Sequence, residues 1–242
     1  MICKDITLSS PEENILFDEV LLGLAEKGLA GEVLRFWESP SYFIVLGKIS
    51  KFEEDVNSVA LREIPILVLR RSSGGGTVLQ GQGCLNYTLI LDKRLDKELN
   101  SISNSYQYIL SRVIKGLNTL NVEAIFKPVS DIALADSEKK FSGNAQHRGK
   151  DFILHHGTIL YDFDISQIEK YLLIPTKMPD YRHKRSHRDF VTNILASARD
   201  IKKAIRKVFD AQEAADKLSA AEIDALEHFN QTKQSTLQVF FP

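Results

Sequence analysis

The sequence predicts an α+β domain of mixed β-sheets flanked by helices, on three observations. Short apolar β-like runs follow one another through the first 160 residues, well-marked helices interrupt them, and no regular strand–helix alternation is present. That order favours mixed sheets over a doubly wound parallel sheet. At 242 residues, with 43% hydrophobic and 26% charged, the chain suits one large domain or one domain with a small appendage. A chain of this length buries well over half of its unfolded surface and needs no crosslinks to hold a core.

Each element has a local signal. Ser10-Pro11-Glu12-Glu13 is a helix start: Ser10 caps, Pro11 fits the first turn and Glu13 stands at the reciprocal capping-box position. Leu16, Val20 and Leu24 then recur every four residues until Gly28 stops the helix. Strands are predicted at 33–37, 42–46, 66–69 and 85–91, a second helix over 103–120 with Ile109, Leu110, Val113, Ile114 and Leu117 on one face, strands at 132–134 and 152–160, and a short helix near 166–172. From Ser197 onward Lys, Arg, Ala and Glu dominate, and Ser219 with Glu222 repeats the capping-box pattern. This tail is expected to form two terminal helices packed on the main domain.

Composition also excludes classes of function. Lys and Arg (31) balance Asp and Glu (32), giving a formal charge of −1 and no global electrostatic case for binding nucleic acid. Two cysteines, Cys3 and Cys84, make no disulfide framework and fit a reducing, cytoplasmic setting. The amino terminus has no signal-peptide pattern, and the longest apolar runs fall far short of a bilayer span, so membrane and secreted classes are not expected.

Five segments could carry chemistry. RRSSGGGT, at 70–77, follows a predicted strand. Three glycines either let backbone N–H groups approach a ligand, with Arg70 and Arg71 holding a carboxylate or phosphate, or serve a flexible turn. Neither spaced-glycine nucleotide fingerprint occurs. In KKFSGNAQ, at 139–146, an alternating run enters a turn at Ser-Gly, and Lys140 could set a fixed cation beside a carboxylate and a phosphate; an exposed lysine pair is the plainer reading. Five of six histidines lie between 147 and 187. His155 and His156 are neighbours on a strand and face opposite ways, which argues against a shared metal site. Residues 182–188 hold four full positive charges in seven positions, suited to steering an anion but more simply a solvated loop. Cys84, with no base nearby in sequence, reads as a small buried residue rather than a nucleophile.

Together and in this order, these stretches resemble the biotin/lipoate protein ligase superfamily, most closely the lipoate-protein ligase A family. The resemblance runs over residues 10–195: PSYFIVLG (40–47), RRSSGGGTVLQGQGCLNYTLIL (70–91), SDIAL (130–134), KFSGNAQ (140–146), HHGTILYDFD (155–164) and RSHRDFVTNI (185–194). It implies the catalytic domain shared with biotin ligases and, distantly, with class II aminoacyl-tRNA synthetases, here over 1–195, with 196–242 as a helical extension and no separate accessory domain.

The implied activity has two steps. Lipoate and Mg-ATP give lipoyl-AMP and pyrophosphate, and the lipoyl group then passes to one lysine of a lipoyl domain of a 2-oxoacid dehydrogenase or of the glycine-cleavage H protein. By position, Lys140 matches the catalytic lysine. Asp131 matches the acidic half of an Asn-Asp pair near phosphate and Mg2+, as a helper in transfer and a metal ligand. Arg70, Ser72, Gly74, Gly75 and Gly76 match the loop lining the lipoyl and adenylate pocket, and Asn86, Ser142, Gly143, His156 and Gly157 match its neighbouring strands. The chemistry agrees: joining two anions asks for a fixed cation between them.

Ser130 departs from the family's usual Asn. The last motif ends at residue 194 of 242, leaving no room for the accessory domain of larger ligases, so a separate small accessory subunit is an expected partner. Lipoate and octanoate, both carboxylates on aliphatic tails, are not told apart. Two alternatives stay open: an octanoyltransferase or lipoyl amidotransferase working through a cysteine thioester, and an inactive relative that binds lipoyl domains. The GRGRRG pattern of biotin ligases is absent.

Overall fold

The Ser10 capping box forms as its residue types require. The hydroxyl accepts from the Glu13 N–H at 3.1 Å and the Glu13 carboxylate accepts from the Ser10 N–H at 3.1 Å. The computed structural model describes residues 1–214 and 217–237. Of the expected C-terminal extension, residues 215–216 and 238–242 lie outside the described residues.

In chain order the elements are β1 (Ile2–Asp5), α1 (Pro11–Glu26), β2 (Val33–Trp37), β3 (Phe43–Leu46), α2 (Phe52–Asp55), α3 (Ser58–Glu63), β4 (Leu67–Arg70), β5 (Val78–Gln80) and β6 (Cys84–Asp92). There follow α4 (Ile102–Asn118), β7 (Ala124–Lys127), β8 (Asp131–Leu134), β9 (Lys140–Arg148), β10 (Phe152–Leu160), α5 (Ile165–Tyr171), α6 (His187–Phe190), α7 (Ala198–Val208), β11 (Gln212–Glu213) and α8 (Ala220–Leu237). The longer predicted elements all form, within two residues of their expected bounds. Lys140–Arg148 differs: the strand continues through Ser142-Gly143 instead of turning there, because β8 pairs its first part, with a register shift, and β10 takes over pairing from Asn144.

Eight strands make one mixed sheet in the order β11-β1-β2-β6-β10-β9-β8-β7, and β4-β3-β5 make a second, smaller one. The α+β expectation is met. The central strands β6 and β10 are covered on both faces, and their period-2 alternation sorts residues between two environments. Leu85, Tyr87, Leu89 and Leu91, with Ile153 and Ile159, join the core under α4 and α7. Asn86 and Thr88, with His156 and Thr158, point to the other face and line a cavity. Hydrophobic clusters thus cover both sides of the sheet, one under α4 and α7 and one under α1, and the site sits where polar residues interrupt the second.

The C-terminal helices close both sides: α7 packs on α4 and α8 on α1. The second capping box also forms, since the Glu222 carboxylate accepts from the Ser219 N–H at 2.8 Å while the Ser219 hydroxyl accepts from the Glu222 N–H at 3.3 Å. That carboxylate also meets Lys4 on β1 at 3.0 Å, both side chains being buried, which ties α8 to the sheet edge. Among the described residues, no helix is long and apolar enough to cross a membrane.

Candidate active site

The cavity, about 740 Å³, lies between the polar face of β6 and β10, the small sheet, the loop after β4 and the segment around α6. Strand register sets its floor. Trp37 on β2 pairs with Asn86 on β6, Asn86 with Thr158 on β10, Gly157 with Asn144 on β9, and Gly143 with Asp131 on β8. These pairings, stepping by one residue at β10 and again at β9, bring residues from sequence positions 37 to 158 to a single trough.

At the β8–β9 end, Lys140 Nζ lies 2.7 Å from Asp131 Oδ1, and the Tyr181 hydroxyl donates to Asp131 Oδ2 at 2.7 Å. Burial and the adjacent Asp131 charge push the Tyr181 phenol well above its ordinary range, so it stays a donor. Gly143 makes room for the lysine: a Cβ there would stand 3.0 Å from Lys140 Nζ and 3.1 Å from its Cε. Gly157 has the same kind of necessity on the opposite face, where a Cβ would run into the Asn144 amide and, at 2.8 Å, the Tyr87 ring. The Tyr87 hydroxyl donates to Asn144 Oδ1 across that space.

The glycine loop is held from inside by Arg71. Its Nε donates to Ser73 Oγ at 3.0 Å, Nη1 to the Val45 carbonyl at 3.3 Å, and Nη2 to the carbonyls of Gly74 and Gly76 at 2.7 and 2.8 Å. These acceptors are neutral, and burial pulls the guanidinium down to about 10, still fully charged at neutral pH. Only Gly75 of the triplet has a positive φ, +83°, and a Cβ there would meet Arg71 Nη2 at 3.0 Å; Gly74 and Gly76 have open space.

Ser73 continues inward. Its hydroxyl lies 2.6 Å from His156 Nε2, and His156 Nδ1 lies 3.3 Å from Asp18 Oδ2. Asp18 also accepts from Thr88 Oγ1 at 2.8 Å and from Arg35 Nη1 at 2.8 Å. Burial alone would raise the Asp18 carboxyl, but the His156 bond and the Arg35 charge outweigh it and hold it below its ordinary range. One assignment satisfies every donor: Arg71 to Ser73, Ser73 O–H to His156 Nε2, and His156 Nδ1–H to ionised Asp18. The Asp-His-Ser geometry suggests a nucleophile, yet Ser73 is 1% exposed and lies behind the cavity wall. It orients the arginine.

Of the residues expected in the site, Gly75, Gly76, Asn86, Asp131, Lys140, Ser142, Gly143, His156 and Gly157 line the cavity. Arg70, Ser72 and Gly74 do not. Arg70 donates to the carbonyls of Gly47 and Ser50 at 2.8 and 2.7 Å, and Ser72 Oγ lies 2.9 Å from His147 Nδ1. The wall's arginine and its serine partner are Arg71 and Ser73, since the chain alternates faces as it leaves β4. Asn86 forms a reciprocal amide pair with Gln80, at 2.9 and 3.0 Å, fixing β5 against β6.

His155 and His156 part as expected, His155 being buried with Nε2 3.4 Å from the Tyr87 hydroxyl. Cys84 is buried, donates to Gln80 Oε1 at 3.3 Å and does not line the cavity. Burial pushes its thiol well above the ordinary range.

Asp18, Trp37 and Tyr181 were missed by sequence reasoning. Asn14 and Asp18, a polar i,i+4 pair on the buried face of α1, were a usable signal for the first. The other two gave none. Arg182 belongs to the cationic run 182–188, for which a solvated loop was the simpler reading, and it is buried against the cavity instead.

The fold and site define an α+β domain with a polar trough on one face of its large sheet. The sequence model of the lipoyl protein ligase A/B catalytic domain matches residues 10–219, and the chain belongs to that family. A Mycoplasma genitalium protein named "Probable lipoate-protein ligase A" is 36% identical over 163 residues, 67% of this chain and 46% of that one. "Octanoyltransferase LipM" of Lysinibacillus sphaericus is 30% identical, covering 64% of this chain and 63% of the other. The chain thus spans about half the length of the curated ligase it matches. A lipoate-protein ligase A structure with bound ATP superposes with a TM-score of 0.79 at 21% identity, covering 97% of this chain and 95% of that one. The bipartite lipoate protein ligase of Thermoplasma acidophilum, studied with its E2 lipoyl domain, gives 0.78 at 21% identity, covering 97% and 94%. Both share the fold.

Proposed function

We propose that this chain is an ATP-dependent lipoate–protein ligase, forming lipoyl-AMP and passing the lipoyl group to a lysine of a lipoyl domain. The observation that carries the reading is the Lys140–Asp131 pair at one end of a trough whose other end is apolar and whose wall carries Arg71, a buried cation without a carboxylate partner among the described residues. Such a site suits two anions brought together beside an aliphatic tail. The tail lies along Ile15, Trp37, Val45 and Val78, and the carboxylate meets Arg71 and the loop it braces. Lys140 swings from Asp131 to the developing negative charge between carboxylate and phosphate, crossing Gly143. Asp131, freed of the lysine, accepts the proton that the acceptor lysine sheds before attack.

Asp131 is a hard oxygen ligand beside the position proposed for phosphate, and Mg2+ is commonly held by one or two carboxylates together with phosphate oxygens, so the donor set fits. Bound there, the ion would draw charge from the phosphate oxygens. Among the described residues no group of three His, Cys, Asp or Glu could form an all-protein metal site, in keeping with an ion that arrives with its nucleotide. The acceptor class is supported by likeness to the Thermoplasma enzyme, whose structural study included an E2 lipoyl domain. Its bipartite make-up motivates a separate small accessory subunit here. Octanoate and the glycine-cleavage H protein remain within the same reading, as does a cytoplasmic site of action.

Kinship to octanoyltransferase LipM motivates a second reading, acyl transfer through a cysteine thioester. Neither Cys3 nor Cys84 lines the cavity, which favours the ligase. Intact mass of an apo lipoyl domain incubated with the protein, lipoate and Mg2+, with and without ATP, separates them. A lipoyl-sized gain only with ATP supports the ligase. Gain from synthetic lipoyl-AMP alone assigns activation to a partner subunit, and gain from an octanoyl-carrier thioester without ATP supports the second reading.

A further inference from the structure

The cationic run at 182–188 is expected to be a solvated loop, and Arg182 departs from it: the residue is 4% exposed and lines the cavity. Local backbone explains the burial. A single helical turn, Asp180–Arg182, is followed by His183 and Lys184 with φ of +48° and +58°, and the chain reverses on itself. Arg182 Nε then donates to the Arg185 carbonyl at 3.0 Å while Arg185 Nε donates back to the Arg182 carbonyl at 3.1 Å. The guanidinium lies over the Phe190 ring, 4.8 Å from its centre. With the stem fixed in this way, Nη2 is buried and has no hydrogen-bond partner among the described residues. Folded proteins keep few such orphans, and a guanidinium donor is a costly one to strand.

Its neighbours are occupied. Lys140 is on Asp131, Lys127 is on Glu138, and Arg185 donates to the carbonyls of Ser137, Glu138 and Tyr181. Arg182 also stands at one particular end of the trough. Tyr181 next to it bonds Asp131 on β8, four strand spacings from Trp37 on β2, or about 19 Å. The aliphatic end and this end are too far apart for one small group to serve both.

We propose that Arg182 is the anion anchor of this cavity, its Nη2 donating to a phosphate oxygen of the nucleotide during activation. The inference rests on the ATP-dependent reading and names the residue that holds the nucleotide's charge. In that step a carboxylate oxygen bonds to the α-phosphorus, the bond from that phosphorus to the bridging oxygen breaks, and the electron pair leaves with pyrophosphate. Arg182 keeps its protons throughout. Its planar fork matches two phosphate oxygens, as an ammonium does not.

The test is calorimetric binding of ATP, adenosine and lipoate to the full chain, as wild type, Arg182→Gln and Arg182→Lys, with thermal melts of each. Arg182→Gln is expected to weaken ATP binding about tenfold to a hundredfold while leaving adenosine and lipoate unchanged. Arg182→Lys should recover part of the loss, and it carries the comparison if the glutamine variant does not fold. Unchanged ATP affinity, or equal losses for all three ligands, overturns the proposal. If the wild type binds no ATP, the ATP-dependent reading fails by itself and inorganic pyrophosphate becomes the probe. Binding lost in Arg182→Gln then upholds the anchor, and equal binding overturns it.

Discussion

Lys140 Nζ and Asp131 Oδ1 lie 2.7 Å apart on adjacent strands, and the lysine reaches across a glycine to get there. The lysine side chain is 29% exposed and the aspartate 11%. Asp131 is buried, and the Tyr181 hydroxyl also donates to it, so the carboxylate keeps one partner when the lysine leaves. A cation held by a single carboxylate, at the edge of a trough, is held loosely enough to be handed to a ligand.

Lys140→Ala should therefore separate activity from stability. Acyl-adenylate formation, followed by pyrophosphate exchange, is expected to fall about a hundredfold to a thousandfold. Unfolding should stay a single cooperative transition, since Tyr181 keeps its hydrogen bond on Asp131. Turnover like that of wild type would remove Lys140 from the mechanism.

The glycines divide by what a side chain would meet. Gly143→Ala places a Cβ 3.0 Å from Lys140 Nζ, at the far end of a flexible chain. The fold should absorb it while adenylation drops about tenfold to a hundredfold from a displaced ammonium. Gly75→Ala must hold an L-residue at φ +83° against Arg71, costing about 1–2 kcal/mol in denaturant unfolding. Gly74→Ala, with open space around it, should unfold like wild type. Equal losses at Gly74 and Gly75 would contradict the described loop geometry.

These residues also show what a sequence can carry. Strand Phe152–Leu160 and the two capping boxes are written in local residue types, and the α+β class followed from their order. Period 2 alone separated His155 from His156. The choice between Arg70 and Arg71, or Ser72 and Ser73, had no local signal, because a doubled residue at a strand end leaves the face undecided until pairing with β3 fixes it. Arg182 lay hidden for a different reason: two positive-φ residues fold its segment inward, and neither is a glycine. The shortest strands, β5 and β11, with three and two residues, exist through their partners and are too short to announce themselves.

Cys84→Ser tests the thioester reading directly. The thiol is 1% exposed, bonded to Gln80 and pushed up by burial, all of which disfavour a thiolate nucleophile. The serine variant should transfer acyl groups at the wild-type rate, with a stability loss of about 1 kcal/mol for placing a more polar group in the same pocket. Loss of transfer, with a trapped acyl-enzyme mass in the wild type alone, would move the chain to the thioester class.

His155 gives the fold a pH dependence with a definite sign. Burial, with a smaller push from the neighbouring His156, pulls its imidazole down from 6.5 to about 3. Between those values the unfolded chain binds a proton that the folded chain refuses, so stability rises with pH across the window and is fully present above 6.5. Going the other way, His155 removes about 1.4 kcal/mol per pH unit below 6.5 until its folded value is reached. His155→Gln cannot titrate and keeps polar atoms near Tyr87 and Gln146, the present partners at 3.4 and 3.2 Å. The variant should start from a lower plateau at pH 7.5 and decline more gently toward pH 4.5 than the wild type. Both midpoints are readable by urea unfolding at fixed pH. Parallel slopes for the two proteins would mean that His155 takes its proton in the folded state near the ordinary value, and that its place in the core admits water.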